Sequence, residues 1–462
     1  FDYDVIGEIY QTLNDPRERH RFGQHYTLPE IVDLINAFCI KLPTDKAFDP
    51  ACGGGTFLVR AYARKKYLAR KVGQLPPPHS EMLQQLFGTD IAAHAVHLAT
   101  VNLATRDLVP QPNYPVVDRK DFFDLEPDSK LAHGWLPNDL DAVVTNPPYV
   151  RSELMGHDYR NRILARLTQD ARTRLRGFSV VSPSGQSDIY LYFFLHSAAF
   201  IRERGYIGFI TSNSRLGTDY GVPLQKFFLE NFRIVAVLES KVERWFSGAA
   251  IITAVTILQH EPDEQKRNEN TVRFARFLTP LEKLFPPTRA DDARLAAVER
   301  LVESINRCDL PTTTTDYRVN PVRQAELLAE GTETDPDTSA TKYVGGKWGK
   351  YLWAPDVFFR ILERAGDRLC KLSKVASVRR GFTTGSDHFF YLKDITAKLS
   401  DGELKQGYGI TRKDTKRLRV VEDGNGTAHI VEAEFLKPVI TSPKEIDRLI
   451  VDPAKLPYSV LI

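Results

Sequence analysis

The sequence predicts an α/β fold: a seven-stranded, mostly parallel sheet with one reversed strand, followed by a C-terminal α+β domain. Three observations lead there. Over the first two-thirds of the chain, short apolar β-type runs alternate with segments of helical period, the pattern of a parallel sheet covered by helices on both faces. A glycine-rich turn joins the first run to a helix. The last two runs have no helical pattern between them, so they pair antiparallel.

In chain order, the strands are expected at 47–49, 86–90, 116–118, 140–145, 206–211, 234–239 and 251–258. Helices are expected at 28–40, 57–70, 92–105, 189–202 and 222–230. Residues 65–80 are basic and run into Pro76-Pro77-Pro78, which reads as an insertion loop. Residues 155–187, rich in Arg and Ser, read as a mobile surface excursion. Mixed signals from 263 to 342 read as a connector with one helix at 293–305. The expected division is therefore 1–262, a connector 263–342, and a second domain 343–462 that is unfinished at its end.

Composition narrows the function classes. With 42% apolar and 26% charged residues, disorder of the whole chain is excluded. Cys39, Cys52, Cys308 and Cys370 form no Cys-x-x-Cys pair, which argues against a zinc ribbon or disulfide framework and for a reducing, cytoplasmic setting. The longest apolar run, 189–201, is shorter than the ~20 residues of a membrane span, so no membrane partner is expected. The chain opens at Phe1 rather than Met, and the simplest reading is a piece of a longer protein.

Two motifs carry chemistry. Phe48-Asp49-Pro50-Ala51-Cys52-Gly53-Gly54-Gly55-Thr56-Phe57 follows a strand and opens a helix. Its glycines allow close approach of a ligand, or simply a tight strand–helix turn. No Gly-Lys-Ser/Thr follows, which excludes a phosphate loop. Asp90 ends the next strand, where a carboxylate can accept ribose hydroxyls. Asp121-Phe122 follows the third strand and suits an adenine amino group and ring, or Asp121 is a helix cap or turn residue. Asn146-Pro147-Pro148-Tyr149 follows the fourth strand. The prolines stiffen the loop. The Asn146 amide oxygen and the Pro147 carbonyl can accept from one exocyclic amino group, freeing its lone pair, while Tyr149 offers a stacking face. The bland alternative is a rigid turn.

On these residues the chain resembles the N6-adenine DNA methyltransferases that use S-adenosylmethionine, and the motif order resembles their γ class. The resemblance implies a Rossmann-like methyltransferase domain at 1–262. In it Thr27, from the segment Phe22-Gly23-Gln24-His25-Tyr26-Thr27, contacts the cofactor; His25 stands where an aromatic is usual. Thr27 and Glu30 also read as a capping box. Asp49, Ala51, Gly53 and Gly55 hold the methionine part, Asp90 and Ile91 the ribose, Asp121 and Phe122 the adenine. Asn146, Pro147 and Tyr149 are the catalytic residues, and Phe246 stacks on the other face of a flipped adenine or is a core aromatic. No metal is implied.

Residues 346–352 and 378–385 are similar to target-recognition segments of single-chain (type IIG) restriction–modification enzymes and of phage-exclusion (BREX-type) methyltransferases. Residues 361–420 carry 14 Lys+Arg against 7 Asp+Glu, a net +7. Such a surface suits the phosphates of double-stranded DNA, or is a solvated basic face. Residues 262–266 read as a charged loop, so any nuclease domain would lie upstream of Phe1. Two rivals remain: an RNA or protein-glutamine methyltransferase, and a DNA-specificity module with a degenerate catalytic domain.

Overall fold

The structure is a computed structural model that describes residues 27–107, 113–150, 155–173, 175, 188–218, 221–246, 252–285, 291–335, 338–370, 372, 375–377, 384–446 and 450–462. The chain forms two compact units, Phe1–Ile361 and Leu362–Ile462.

The first unit is built on a ten-stranded sheet. Its strands are β1 (Ala47–Asp49), β2 (Leu86–Asp90), β3 (Val116–Arg119), β4 (Leu140–Thr145), β5 (Ile201–Ser212), β6 (Phe232–Ser240), β7 (Thr253–His260), β8 (Thr271–Phe277), β9 (Thr312–Thr313) and β10 (Tyr317–Arg323). The spatial order is β9-β10-β8-β6-β7-β5-β4-β1-β2-β3. The pairs from β3 through β1 to β5 are parallel. β7 lies between β5 and β6 and runs antiparallel to both, as the missing helix predicts. β1 and β2 are buried throughout, down to the carboxylates Asp49 and Asp90 that end them.

The longer helices that position the site are α1 (Pro29–Cys39), α2 (Thr56–Lys71), α3 (Ala93–Ala104), α4 (His157–Arg172), α5 (Ile189–Ser197), α6 (Val222–Asn231) and α7 (Asp291–Asn306). Several expectations change. The sheet has ten strands rather than seven, because the stretch 263–342 adds β8, parallel to β6, then β10 and β9. α7 from the same stretch buries Leu295, Val298, Val302 and Ile305. Arg273, Arg276 and Arg318 interleave with the apolar positions of β8 and β10 and mask their alternation. Residues 65–71 belong to α2, where Lys65 is fully buried and its ammonium donates to the Asp45 carbonyl. The helix expected at 189–202 stops at Ser197 and β5 begins at Ile201. α5 is apolar on every side, so hydrophobic period cannot mark its end. The described part of 155–187 contains α4, and Asp263 caps a short helix, Glu264–Glu269, where a loop is expected.

Residues 346–352 pack inside the first unit. Trp348 and Leu352 are buried, Gln225 Nε2 donates to the Gly346 carbonyl at 3.1 Å, and Arg318 donates to the Leu352 carbonyl at 3.1 Å. The boundary therefore falls after Ile361, later than the expected 343, because this aromatic-rich segment finds its partners on α6 and β10. The second unit holds a five-stranded antiparallel sheet, ordered Ala428–Glu432, Leu418–Glu422, Tyr391–Asp394, Tyr458–Leu461, Leu436–Val439, over a small core of Leu404, Ile410 and Val420.

A buried charge network joins three helices of the first unit. Asp33 of α1 is wholly buried. It accepts from Arg60 Nε of α2 at 2.7 Å and from Arg294 Nε of α7 at 2.7 Å. Glu30 and Asp291 take the outer guanidinium nitrogens. The network fixes α1, and with it the chain leading to Thr27.

Candidate functional site

The carboxyl ends of β1, β2 and β4 meet at one place, the position at which open α/β sheets bind ligands. After β1 the chain turns through Pro50–Gly54 to the start of α2. Gly55 carries φ +87° and a Cβ there would meet Ala99 Cβ at 3.0 Å. Only glycine lets α2 start this close to α3. Gly53 has φ +52°, and neither it nor Gly54 has anything within 4 Å of where a Cβ would point. The loop thus presents an open backbone face.

Two carboxylates hold that loop. Asp90 Oδ2 accepts from Gly53 N at 3.0 Å, and Oδ1 accepts from Ala92 N at 2.8 Å. Asp49 Oδ1 accepts from Ala51 N at 3.1 Å and from Thr145 Oγ1 at 2.6 Å. Burial pushes the Asp49 carboxyl up to about 7, helped by the charge of Asp90 and opposed by the Thr145 and Ala51 hydrogen bonds. Burial also raises Asp90, against the amides of Ala92 and Gly53 and the nearby His94. The Cys52 thiol is driven well up by burial and by both carboxylates. It is a neutral packing group rather than a nucleophile.

Asn146 leaves β4 beside this loop. Its Nδ2 donates to Thr27 Oγ1 at 3.0 Å. The capping box is not formed: α1 is capped at Leu28 with no side-chain bond, and Glu30 pairs with Arg294. Pro147 is buried. Tyr149 donates its hydroxyl to the Ile210 carbonyl at 3.2 Å, tying the Pro-Pro loop to β5. Its ring meets Phe246 edge to face, centroids 5.4 Å apart at 76°. The two aromatics expected to flank a base are thus neighbours, and Phe246 is also a core residue, 2% exposed.

The adenine side differs more from expectation. Asp121 caps the turn Phe122–Asp124 by accepting from Phe123 N at 3.0 Å. It also accepts from Arg162 at 2.8 Å and from the Tyr159 hydroxyl at 3.3 Å, both on α4. Phe122, expected on an adenine ring, is 2% exposed. It packs with Phe48, Phe193 and His196, because its backbone turns the ring under the sheet. His196 locks this corner, with Nδ1 2.6 Å from Asp170 and Nε2 3.1 Å from the Phe122 carbonyl. Ile91 is half exposed at the rim. Residues 22–26, 247–248 and 378–383 of the expected motifs lie outside the described residues.

Thr145, Tyr159 and Arg162 are the site residues the sequence reading misses. Thr145 left one signal: a hydroxyl at the last position of an otherwise apolar strand. The other two gave none. Among the described residues no cluster of His, Cys, Asp or Glu is placed to hold a metal ion, and no helix is long and apolar enough to cross a membrane.

Residues 84–246 match the family described as Eco57I restriction-modification methylase. The chain is 26% identical over 394 residues to the type II methyltransferase M.BanIII of Aneurinibacillus aneurinilyticus, covering 83% of this chain and 60% of that protein. It is 26% identical over 242 residues to the type II methyltransferase M.BstVI of Geobacillus stearothermophilus, covering 48% of this chain and 39% of that protein. In structure it is similar to the type IIG restriction endonuclease BpuSI, with a TM-score of 0.56 at 17% identity, over 99% of this chain and 45% of that one. That likeness establishes the fold. The chain spans 60% or less of the length of these relatives.

Proposed function

We propose that the chain carrying this restriction–modification methylase domain transfers a methyl group from S-adenosylmethionine to N6 of an adenine flipped out of duplex DNA, within a restriction–modification or related phage-defence system. The observation that carries the reading is the Asn146-Pro147-Pro148-Tyr149 loop standing beside the glycine loop at the mouth of β4.

The residues fit the cofactor. The open backbone face at Gly53 and Gly54 would cradle its methionine part, with the ribose beside Asp90, a buried carboxylate that also holds the Gly53 and Ala92 amides. Bound there, the cofactor supplies a methyl group on a sulfonium, whose sulfur leaves as a neutral thioether. The chain's own work is then mostly positioning. Asn146 Oδ1 and the Pro147 carbonyl accept from N6, turn its lone pair toward the methyl carbon, and stabilise the positive charge that develops on nitrogen. N6 afterwards sheds a proton to solvent. Extracting the base costs a few kcal/mol of stacking and pairing, partly offset when it stacks on Tyr149, with Phe246 behind it. The second unit, with the basic stretch 361–420, is assigned to duplex recognition by phosphate contact.

The test is Asn146→Ala in an assay of labelled methyl transfer to duplex DNA. The rate should fall by roughly 10²–10³, while cofactor affinity by calorimetry stays at the native value. Transfer at the native rate would mean the Pro-Pro loop is only a turn. Methylation of RNA or protein instead of DNA would favour the rival substrates.

A further inference from the structure

Thr145 is the last residue of β4 and directly precedes Asn146. It is fully buried, and the strand before it reads Ala142-Val143-Val144, all apolar and buried. Valine would fill the same space, so packing alone does not call for a hydroxyl here. The hydroxyl instead makes a specific bond: Oγ1 donates to Asp49 Oδ1 at 2.6 Å, and that same oxygen accepts from Ala51 N at 3.1 Å. Asp49 ends β1, the strand paired in parallel with β4 through Phe48 and Val143. One carboxylate oxygen on a residue 1% exposed is therefore shared between the loop bearing Gly53 and Gly55 and the strand that delivers Asn146. The charged and titratable groups near Asp49 are Asp90 on β2 and the Cys52 thiol in the loop.

We propose that Thr145 is a positioning residue for methyl transfer, bracing the cofactor loop against the Asn146 loop through Asp49. This rests on the functional reading above. Displacement at carbon needs the nucleophile, methyl and leaving group in line, and catalytic constellations tolerate only about 0.5 Å and 10–20° of error. A misplacement near 1 Å costs on the order of 10² in rate. A short hydrogen bond to a carboxylate is stiff as well as strong. Without the Thr145 donor, Asp49 keeps only the Ala51 amide. The Thr145 hydrogen bond opposes the rise that burial causes in the Asp49 carboxyl, so removing it shifts that carboxyl further toward its protonated form and cuts the link to β4.

The experiment compares the full chain with Thr145→Val and Thr145→Ser, using labelled S-adenosylmethionine and duplex DNA. Thr145→Val should lower kcat about 10- to 100-fold and leave the cofactor KM within about threefold. It should also move the midpoint of the kcat–pH profile upward by about one pH unit. Thr145→Ser, which keeps the donor, should restore all three. Amide exchange in a peptide covering Ala51 should be faster in Thr145→Val, a readout independent of turnover. Unchanged kcat, pH profile and exchange in Thr145→Val would overturn the proposal, as would a loss that serine does not repair. If the valine variant does not fold, serine against Thr145→Ala makes the same comparison. A native chain that methylates no DNA would refute the functional reading instead, and the exchange measurement would still decide whether the brace exists.

Discussion

Removing the Asp33 carboxylate should unfold the first unit far more readily than removing any surface acid. Asp33 accepts three hydrogen bonds, two from Arg60 at 2.7 and 3.0 Å and one from Arg294 at 2.7 Å. The three side chains are only 0%, 6% and 7% exposed, so solvent screens little of the interaction. Asp33→Ala leaves two buried guanidinium groups facing each other with only Asp291 and Glu30 at their outer nitrogens. Breaking a buried pair by deleting one partner costs about 3–5 kcal/mol, against a total stability of roughly 5–15 kcal/mol for a domain. Urea denaturation followed by tryptophan fluorescence should therefore show a large fall in midpoint at unchanged slope. Because the charges are buried, the fall should be nearly the same in low and moderate salt. Replacing Arg294 with Met in the Asp33→Ala background should recover part of it, since one stranded charge is gone. An unfolding free energy within about 0.5 kcal/mol of native, or a loss that vanishes with salt, would refute this account of what fixes α1.

Asp49 sets a pH dependence. Its carboxyl is raised to about 7 in the fold from about 3.9 in an unfolded chain, so between those values the folded state holds more protons and stability falls as pH rises, levelling above 7. Asp49→Asn should flatten the stability profile over that window; a profile as steep as native would contradict the assignment. Asp90→Ala removes the acceptor of two loop amides, bonds to a charged acceptor worth about 1.5–3 kcal/mol each. Calorimetry should show cofactor affinity lost in a folded variant, and intact affinity would exclude Asp90 from the cradle. Binding of duplex DNA should weaken steeply with salt, with a log–log slope near −0.9 per phosphate contact; a flat titration would move the DNA surface away from 361–420.

What the sequence disclosed depended on how local each signal is. β1 to β7 were legible from short apolar stretches bounded by turns, except that the polar start of β5, Arg202-Glu203-Arg204, hid its first residues, and the reversed β7 was legible because no helix precedes it. β8 and β10 were not, since Arg273, Arg276 and Arg318 break their apolar runs although the fold largely buries these side chains. Asn146-Pro147-Pro148-Tyr149 and the glycine loop are contiguous motifs and could be read directly. Phe122 could not: its neighbour Asp121 suggested an open pocket, but adjacency in sequence says nothing of which way a ring turns. Thr27 and Asn146 are 119 positions apart, and no periodicity links them. The segment 346–352 was expected after the boundary and packs before it, because its partners Gln225 and Arg318 lie 121 and 34 positions away in sequence.

The charge network has a consequence for how the protein is made. Arg294 stands 261 residues after Asp33. At synthesis rates of about 5–20 residues per second, on the order of 10–50 s pass between the two leaving the ribosome. Throughout that interval Asp33 has Arg60 as its only partner of the pair, and the groove that will receive Leu295, Val298, Val302 and Ile305 lies open. The first helices are therefore provisional until the late helix docks. The candidate site, all of it translated by Phe246, is built on a helix whose last buried partner, Arg294, is synthesised afterwards.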